Sequence, residues 1–314
     1  MINETMFTTT DSANNSVVSM RVPRHCRRHA IGSALAVIAL TTIGHAEDQR
    51  AEWNKPQAPL RVFGNTYYVG PRGLSSILIT SEAGHVLIDG ALPESAAMIA
   101  SHVRQLGFRM EDVRVILNSH AHFDHAGGIA ELQRLSDARV VATAWSARVF
   151  EQGRSGPDDP QYGAIPGIAP AANVQIIADG EVLRVGGLEL TAHRTGGHTP
   201  GGTTWTWRSC EGDRCLDIVY ADSVTAVSAD GFSFSQSKTY PTVLADFEKS
   251  FAFLSDIPCD VLLTPHPEAS DLWARLAKRD QLGADAIVDR TACRRYAEGA
   301  RARLRTRLDS EKQQ

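Results

Sequence analysis

Within six residues, His120-Ala121-His122-Phe123-Asp124-His125, the 314-residue chain gathers three imidazoles and a carboxylate. They follow Val113 to Leu117, a short apolar run bounded by charge and turn signals, which reads as a buried strand. A loop leaving a strand end lets neighbouring side chains splay toward one point, so the fold must present that strand end as a platform. Ring nitrogen and carboxylate oxygen together form the borderline donor set that zinc favours. A lone histidine is more often a packed or capping residue. Four ligand-type groups at this density exceed anything packing requires. Gly127-Gly128 comes next and lets the following helix approach the loop closely.

Around this platform the apolar pattern alternates between strands and helices. Strands are predicted at Asn65 to Val69, Ser75 to Thr80, His85 to Ile88, Val113 to Leu117, Arg139 to Thr143 and Val174 to Ile177. A later group follows at Val182 to Val185, Leu188 to His193, Thr203 to Trp207, Leu216 to Tyr220 and Val261 to Thr264. Helices are predicted from about Leu92 to Leu106, Gly127 to Leu135, Trp145 to Gln152, Val243 to Leu254 and from about Ala284 onward. Two groups of strands, each with its own helices, suit two sheets packed face to face: an α/β protein of αββα sandwich type. The Gly- and Pro-rich stretch from Gly153 to Pro170 is a loop long enough to expect a functional or mobile role. Trp145, Phe150, Tyr162, Ile165 and Ile168 around it could form an apolar lip over a site, or could simply pack beneath the loop.

The first 46 residues do not read as part of the fold. Arg21, Arg24, Arg27 and Arg28 precede the apolar run Ile31 to Ile43, and Gly44-His45-Ala46 supplies small residues for cleavage. This is the pattern of a secretory signal peptide, and the apolar run is too short for a comfortable membrane span. The basic region lies so far from Met1 that Met20 is an alternative start, and Arg27-Arg28 only weakly suggests twin-arginine export. The expected division is therefore a signal peptide over 1–46 and one domain over 47–314, released into the periplasm or secreted. Loss of four Arg, Glu4 and Asp11 takes the formal charge from −4 to −6. An acidic balance argues against nucleic acid or an anionic membrane as the main partner.

Cysteine usage agrees with export. Cys210, Cys215, Cys259 and Cys293 remain after the signal, an even number with no CxxC spacing. Cys210 and Cys215 flank a turn-like Glu-Gly-Asp-Arg between strand-like runs, so a bridge across that hairpin costs little. Cys259 and Cys293 would then tie the last strand to the C-terminal helix. Free structural thiols are the alternative reading.

His-x-His-x-Asp-His after a strand resembles the signature of the metallo-β-lactamase superfamily. Two later motifs follow in that family's order: Gly196-Gly197-His198-Thr199-Pro200-Gly201-Gly202, and Leu262-Leu263-Thr264-Pro265-His266-Pro267. The resemblance implies two zinc ions, one held by His120, His122 and His198 and the other by Asp124, His125 and His266. It further implies that a metal-bridging hydroxide attacks an amide or ester carbonyl, with Asp124 accepting or orienting a proton. By the same likeness Asp89 would steady the metal loop, although a plain turn carboxylate is an equal reading of it. His85, His102 and His193 fall in no family motif.

Within the superfamily, the chain looks most like the subclass B3 β-lactamases. That subclass uses Asp-His-His rather than a cysteine at the second zinc. Tyr220-Ala221-Asp222-Ser223-Val224-Thr225-Ala226 resembles its serine loop, which implies Ser223 and Thr225 as contacts for a substrate carboxylate, although Thr225 departs from the usual serine. Trp53-Asn54-Lys55-Pro56, Ser75 to Thr80 and the Cys259–Cys293 pairing also look like that subclass. The expectation is hydrolysis of a small β-lactam substrate. Lactonase or glyoxalase-II-like relatives are the alternative, because a one-residue shift would make Asp222 a bridging ligand. A zinc-binding protein without catalysis is the alternative of another class.

Overall fold

The computed structural model describes residues 47–313. The signal-peptide reading over 1–46, including Met20 and the arginines, lies outside the described residues. Residues 47–53 form a helical segment, α1. Seven strands then build one sheet in simple chain order: β1 (Leu60–Phe63), β2 (Thr66–Tyr68), β3 (Ile77–Ile79), β4 (His85–Ile88), β5 (Val113–Leu117), β6 (Arg139–Ala142) and β7 (Gln175–Ile176). The pairs from β1 to β4 are antiparallel, and those from β4 to β7 are parallel. Each parallel step needs a crossover. These are α2 (Ala96–Gln105), then α3 (Phe123–Ala126) with α4 (Ile129–Ser136), then α5 (Ala144–Gln152).

The second sheet has the order β12-β11-β10-β9-β8. Its strands are β8 (Val182–Val185), β9 (Leu188–Arg194), β10 (Thr203–Glu211), β11 (Arg214–Tyr220) and β12 (Val261–Leu263). Only β11 and β12 pair in parallel, and α6 (Val243–Asp256) makes that crossover. After the short α7 (Leu272–Leu276) and α8 (Arg279–Leu282), the chain ends on the long helix α9 (Ala292–Glu311).

Strand alternation sorts the side chains into three apolar layers. Val86, Ile88, Val115 and Leu117 of the first sheet meet Leu190, Trp205, Ile218 and Leu263 of the second. Their sequence neighbours Leu87 and Ile116 face α2 and α4 with Ile99, Val103 and Leu132. Val219 and Leu262 face α6 and α9 with Phe247, Phe251 and Ala297. Strands buried on both faces are largely apolar, which is why β4 beyond His85 and β5 beyond Arg114 read as the apolar runs Val86–Ile88 and Val115–Leu117. Helix–sheet–sheet–helix layering is the αββα sandwich predicted, and residues 47–314 make one compact unit.

Two disulfides join Cys210 to Cys215 across the β10–β11 hairpin and Cys259 to Cys293 between the approach to β12 and the first turn of α9. Several boundaries differ from expectation. The helix expected at Gly127 begins at Ile129, because Gly127 and Gly128 form a close crossing: a Cβ would lie 2.2 Å from Phe123 O at the first and 2.3 Å from Gly90 O at the second. The last helix begins at Ala292 rather than near Ala284; Gly283–Ile287 is a separate 3₁₀ turn. Strand β1 and helices α7 and α8, too short for periodicity to register, were not expected. Of the supposed apolar lip, Trp145, Phe150 and Ile168 pack in the outer core, and only Tyr162 stands well exposed, at 50%.

Candidate metal centre

Parallel pairing brings strand ends into line. Ile88 pairs with Leu117 and Tyr220 with Leu263, so the loops after β4, β5, β11 and β12 leave neighbouring strand ends. Asp89, the first residue beyond β4, is fully buried with φ of 61°. Its Oδ1 accepts from Ser119 N at 2.7 Å; its Oδ2 accepts from Ser119 Oγ at 2.6 Å and Tyr220 OH at 2.7 Å. One carboxylate thus fixes the start of the histidine loop to both sheets. From β10, Trp205 Nε1 donates to Asn118 O and Thr203 N to Ser119 O, which completes the clamp.

Beyond that anchor, ring nitrogens of the buried His120, His122 and His198 lie within 4.8 Å of one another. A second cluster of the same compactness joins His120, Asp124 and His125. Each ring of the first trio has its far nitrogen engaged. His120 Nδ1 lies 2.7 Å from Asp222 Oδ1, His122 Nε2 lies 2.9 Å from Asp159 Oδ2, and His198 Nδ1 donates to Thr225 O at 2.9 Å. With the outer nitrogens so occupied, the free lone pairs are His120 Nε2, His122 Nδ1 and His198 Nε2. Outer partners of this kind fix tautomer and ring orientation at metal sites.

Burial pushes the His198 imidazolium down to about 3, with His122 adding repulsion. Burial likewise drives His120 well down, with His125, His198 and His122 adding repulsion, and the Asp222 carboxyl well up. Three buried imidazoles aimed at a common point, two of them disfavoured as cations, form a group that could hold a metal ion. Donor type, number and convergence fit zinc.

Asp124 Oδ2 lies 3.1 Å from His125 Nε2 and 3.4 Å from His266 Nε2. Burial alone would raise the Asp124 carboxyl, but the charge on His125 and hydrogen bonds from both rings hold it well below the usual range. Burial alone would lower His125, and Asp124 overcomes that and raises it. Trp53, from α1, sits against the His266 ring at a centroid distance of 5.4 Å.

Asp222, the candidate bridging ligand, stands behind His120 rather than among the converging atoms. Its second oxygen faces Gly202, where a Cβ would lie 2.3 Å away, so only glycine fits there. Ser223 is buried beside it, and Thr225 Oγ1 lies 3.2 Å from His198 Nδ1. His85, His102 and His193 are elsewhere: near Ser81, on Val69 O and on Thr206 Oγ1 respectively.

Two residues escaped the sequence reading. Gln161 Nε2 lies 3.4 Å from His122 Nδ1 and 3.5 Å from His198 Nε2, facing the two free lone pairs. Asp159 backs His122. Both sit in the Gly/Pro-rich loop, whose length was the only available signal.

Comparison with known proteins agrees with this architecture. The metallo-β-lactamase superfamily profile matches residues 69–288. The Rm3 metallo-β-lactamase superposes with a TM-score of 0.83 at 57% identity, covering 84% of this chain and 98% of that one. MEM-A1, a subclass B3 metallo-β-lactamase from a soil metagenome library, gives 0.82 at 54%, covering 82% and 98%. A hydroxyacylglutathione hydrolase of Rhodopseudomonas palustris (strain BisB5) is 33% identical over 108 residues, 34% of this chain and only 32% of the relative. The chain belongs to the metallo-β-lactamase superfamily of metal-binding hydrolases, and its whole-length structural neighbours include subclass B3 enzymes.

Proposed function

We propose that this protein is an exported, zinc-dependent β-lactamase of the subclass B3 type, hydrolysing the amide of the β-lactam ring. The observation that carries this reading is likeness over 98% of two metallo-β-lactamases at 54–57% identity, supported by the compact groups His120/His122/His198 and His120/Asp124/His125. His120 Nε2, His122 Nδ1 and His198 Nε2 would hold one zinc ion, and Asp124, His125 and His266 a second. When bound, such ions supply Lewis-acid activation of water and of the scissile carbonyl.

The chain's own groups then divide the remaining work. Asp222, Asp159 and Thr225 O keep three rings oriented. Asp124 stays ionised across neutral pH, so it orients a proton or takes one only transiently. Gln161 Nε2 has donors for an oxygen above the trio. The hydroxyls of Ser223 and Thr225 would meet a substrate carboxylate. Tyr162 and Val227, both half exposed, lie on the two loops that carry Asp159 and Asp222. The two disulfides and the N-terminal pattern support export.

Partial likeness to the thioester hydrolase keeps a second reading in view, but the place of Asp222 behind His120 disfavours a bridging carboxylate. The deciding experiment is turnover by the zinc-loaded protein of a penicillin, a carbapenem, a homoserine lactone and a glutathione thioester, with and without chelator. Chelator-sensitive opening of the β-lactams alone is expected. Turnover of only the lactone or thioester would sink the β-lactamase reading while keeping the metal site. Zinc uptake with no turnover of any of the four would point to a binding protein.

A further inference from the structure

We infer that Asp159 is a positioning residue for the metal trio, through which the long loop after α5 is coupled to the ion that His122 would hold. This rests on the metal reading above but not on the identity of the substrate.

Asp159 is almost fully buried, and its two oxygens serve different purposes. Oδ1 accepts from Gln161 N at 2.9 Å, a local turn contact that shapes its own loop. Oδ2 reaches out of the loop to His122 Nε2 at 2.9 Å. A carboxylate can only accept here, so it selects the His122 tautomer with the proton on Nε2 and the lone pair on Nδ1. Gln161 provides an independent check on that assignment. Its Nε2 is a donor and lies toward His122 Nδ1, which suits an unprotonated Nδ1. The same amide faces His198 Nε2, the other lone pair fixed from behind by a carbonyl.

The loop is itself tied to a second one. Ala229 N donates to Pro160 O at 2.8 Å, linking it to the segment after β11, which also carries Asp222 and Thr225. All three outer partners of the trio therefore lie on two loops that are hydrogen-bonded to each other. Those loops carry the outer partners, so an ion that orders the three rings also favours one arrangement of the two loops. Linkage makes the effect mutual: whatever displaces Asp159 weakens the ion, and loss of the ion loosens the loop.

The test compares wild type, Asp159→Asn and Asp159→Ala, none of which touches a converging ring atom. Zinc affinity is measured by competition with a chromogenic chelator, and cobalt(II) absorption reports the ligand field. Asp159→Ala is expected to lose about 10–100-fold in affinity, the range for outer partners of ligating histidines, and to shift the cobalt bands. Asp159→Asn keeps an acceptor without its charge and should fall between. Zinc should protect the 153–170 loop from limited proteolysis in wild type and much less in either variant. Should Asp159→Ala fail to fold, Asp159→Asn decides alone. Affinity within twofold of wild type with unchanged cobalt bands would overturn the proposal. Failure of wild type to bind zinc or cobalt at all would instead sink the metal reading beneath it.

Discussion

The two halves of the metal centre are built differently. Around His120, His122 and His198, each outer nitrogen meets an acceptor from a distant loop: Asp222, Asp159 or Thr225 O. Around Asp124, His125 and His266, the groups chiefly meet one another. His125 Nδ1 is buried with no hydrogen-bond partner among the described residues. The His266 side chain remains 34% exposed and is braced by Trp53 rather than by an acceptor. One half is therefore oriented before any ion arrives, whereas the other takes its order from mutual pairing that an ion would have to replace. Preorganisation reduces what binding must spend on ordering side chains. The first half should thus bind its ion more tightly.

The largest expected effects come from breaking each half in turn. Stepwise removal of zinc by chelator should show two affinities in wild type. His122→Ala should abolish the tighter step and chelator-sensitive turnover with it, a loss exceeding the roughly 100-fold upper range for an outer partner. His266→Ala should remove only the weaker step and leave the tighter one nearly unchanged. Equal loss of both steps in the two variants would show that the halves are not independent.

His198 and His125, one from each half, are shifted in opposite senses, which gives a subtler way to separate them. In zinc-free protein, burial depresses His198 to about 3 from an unfolded value near 6.5. Between those values the unfolded chain binds the extra proton, so this residue's contribution improves as pH rises to about 6.5 and is flat above. His125 is raised despite its burial, because Asp124 is beside it. Its contribution is fully present below about 6.5 and is lost as pH rises through its folded value. Denaturant unfolding of chelated wild type, His198→Asn and His125→Asn across pH 5–8 would measure both. Wild-type stability minus variant stability should slope upward with pH for the first variant, below about 6.5, and downward for the second, above it. Taking differences cancels the buried Asp222, whose carboxyl burial pushes up without help from either histidine, whereas the charge on His125 also acts on Asp89 and belongs to the second difference. Parallel slopes would remove the electrostatic half of the comparison.

The same contrast explains what could be read from sequence. His120 to His125 are conspicuous because four ligand-type residues share one loop, and β12 and the cores of β4 and β5 because double burial leaves them apolar. The sandwich followed from two strand groups with helices between them. Asp159 and Gln161 carry no such signature. Their relation to His122 exists only once a loop with no periodicity folds over a strand end some 40 residues earlier in the chain. The role of Thr225 was legible only in part, since a main-chain carbonyl leaves no trace in residue type. The late start of α9 escaped for a related reason. Gly283–Ile287 has helix-like composition, yet Val288 turns to extended backbone and separates that turn from Ala292.

The smallest expected effects belong to Ser223 and Thr225, whose side chains are proposed to meet substrate. Ser223→Ala removes one hydroxyl proposed to meet the substrate carboxylate. A hydrogen bond to a charged group contributes about 1.5–3 kcal/mol, so the Michaelis constant should rise by roughly 10- to 100-fold at nearly constant kcat. Thr225→Ala is a sharper case, because the residue has two tasks. Its carbonyl, which holds His198, survives the substitution, while Oγ1, 3.2 Å from the same Nδ1, does not. If main-chain support dominates, zinc affinity should stay within about threefold of wild type, less than the 10–100-fold typical of losing an outer partner, and only the Michaelis constant should move. A loss of affinity approaching that of Asp159→Ala would mean that the hydroxyl, not the carbonyl, orients His198. The first half would then be held by three side chains instead of two side chains and the backbone.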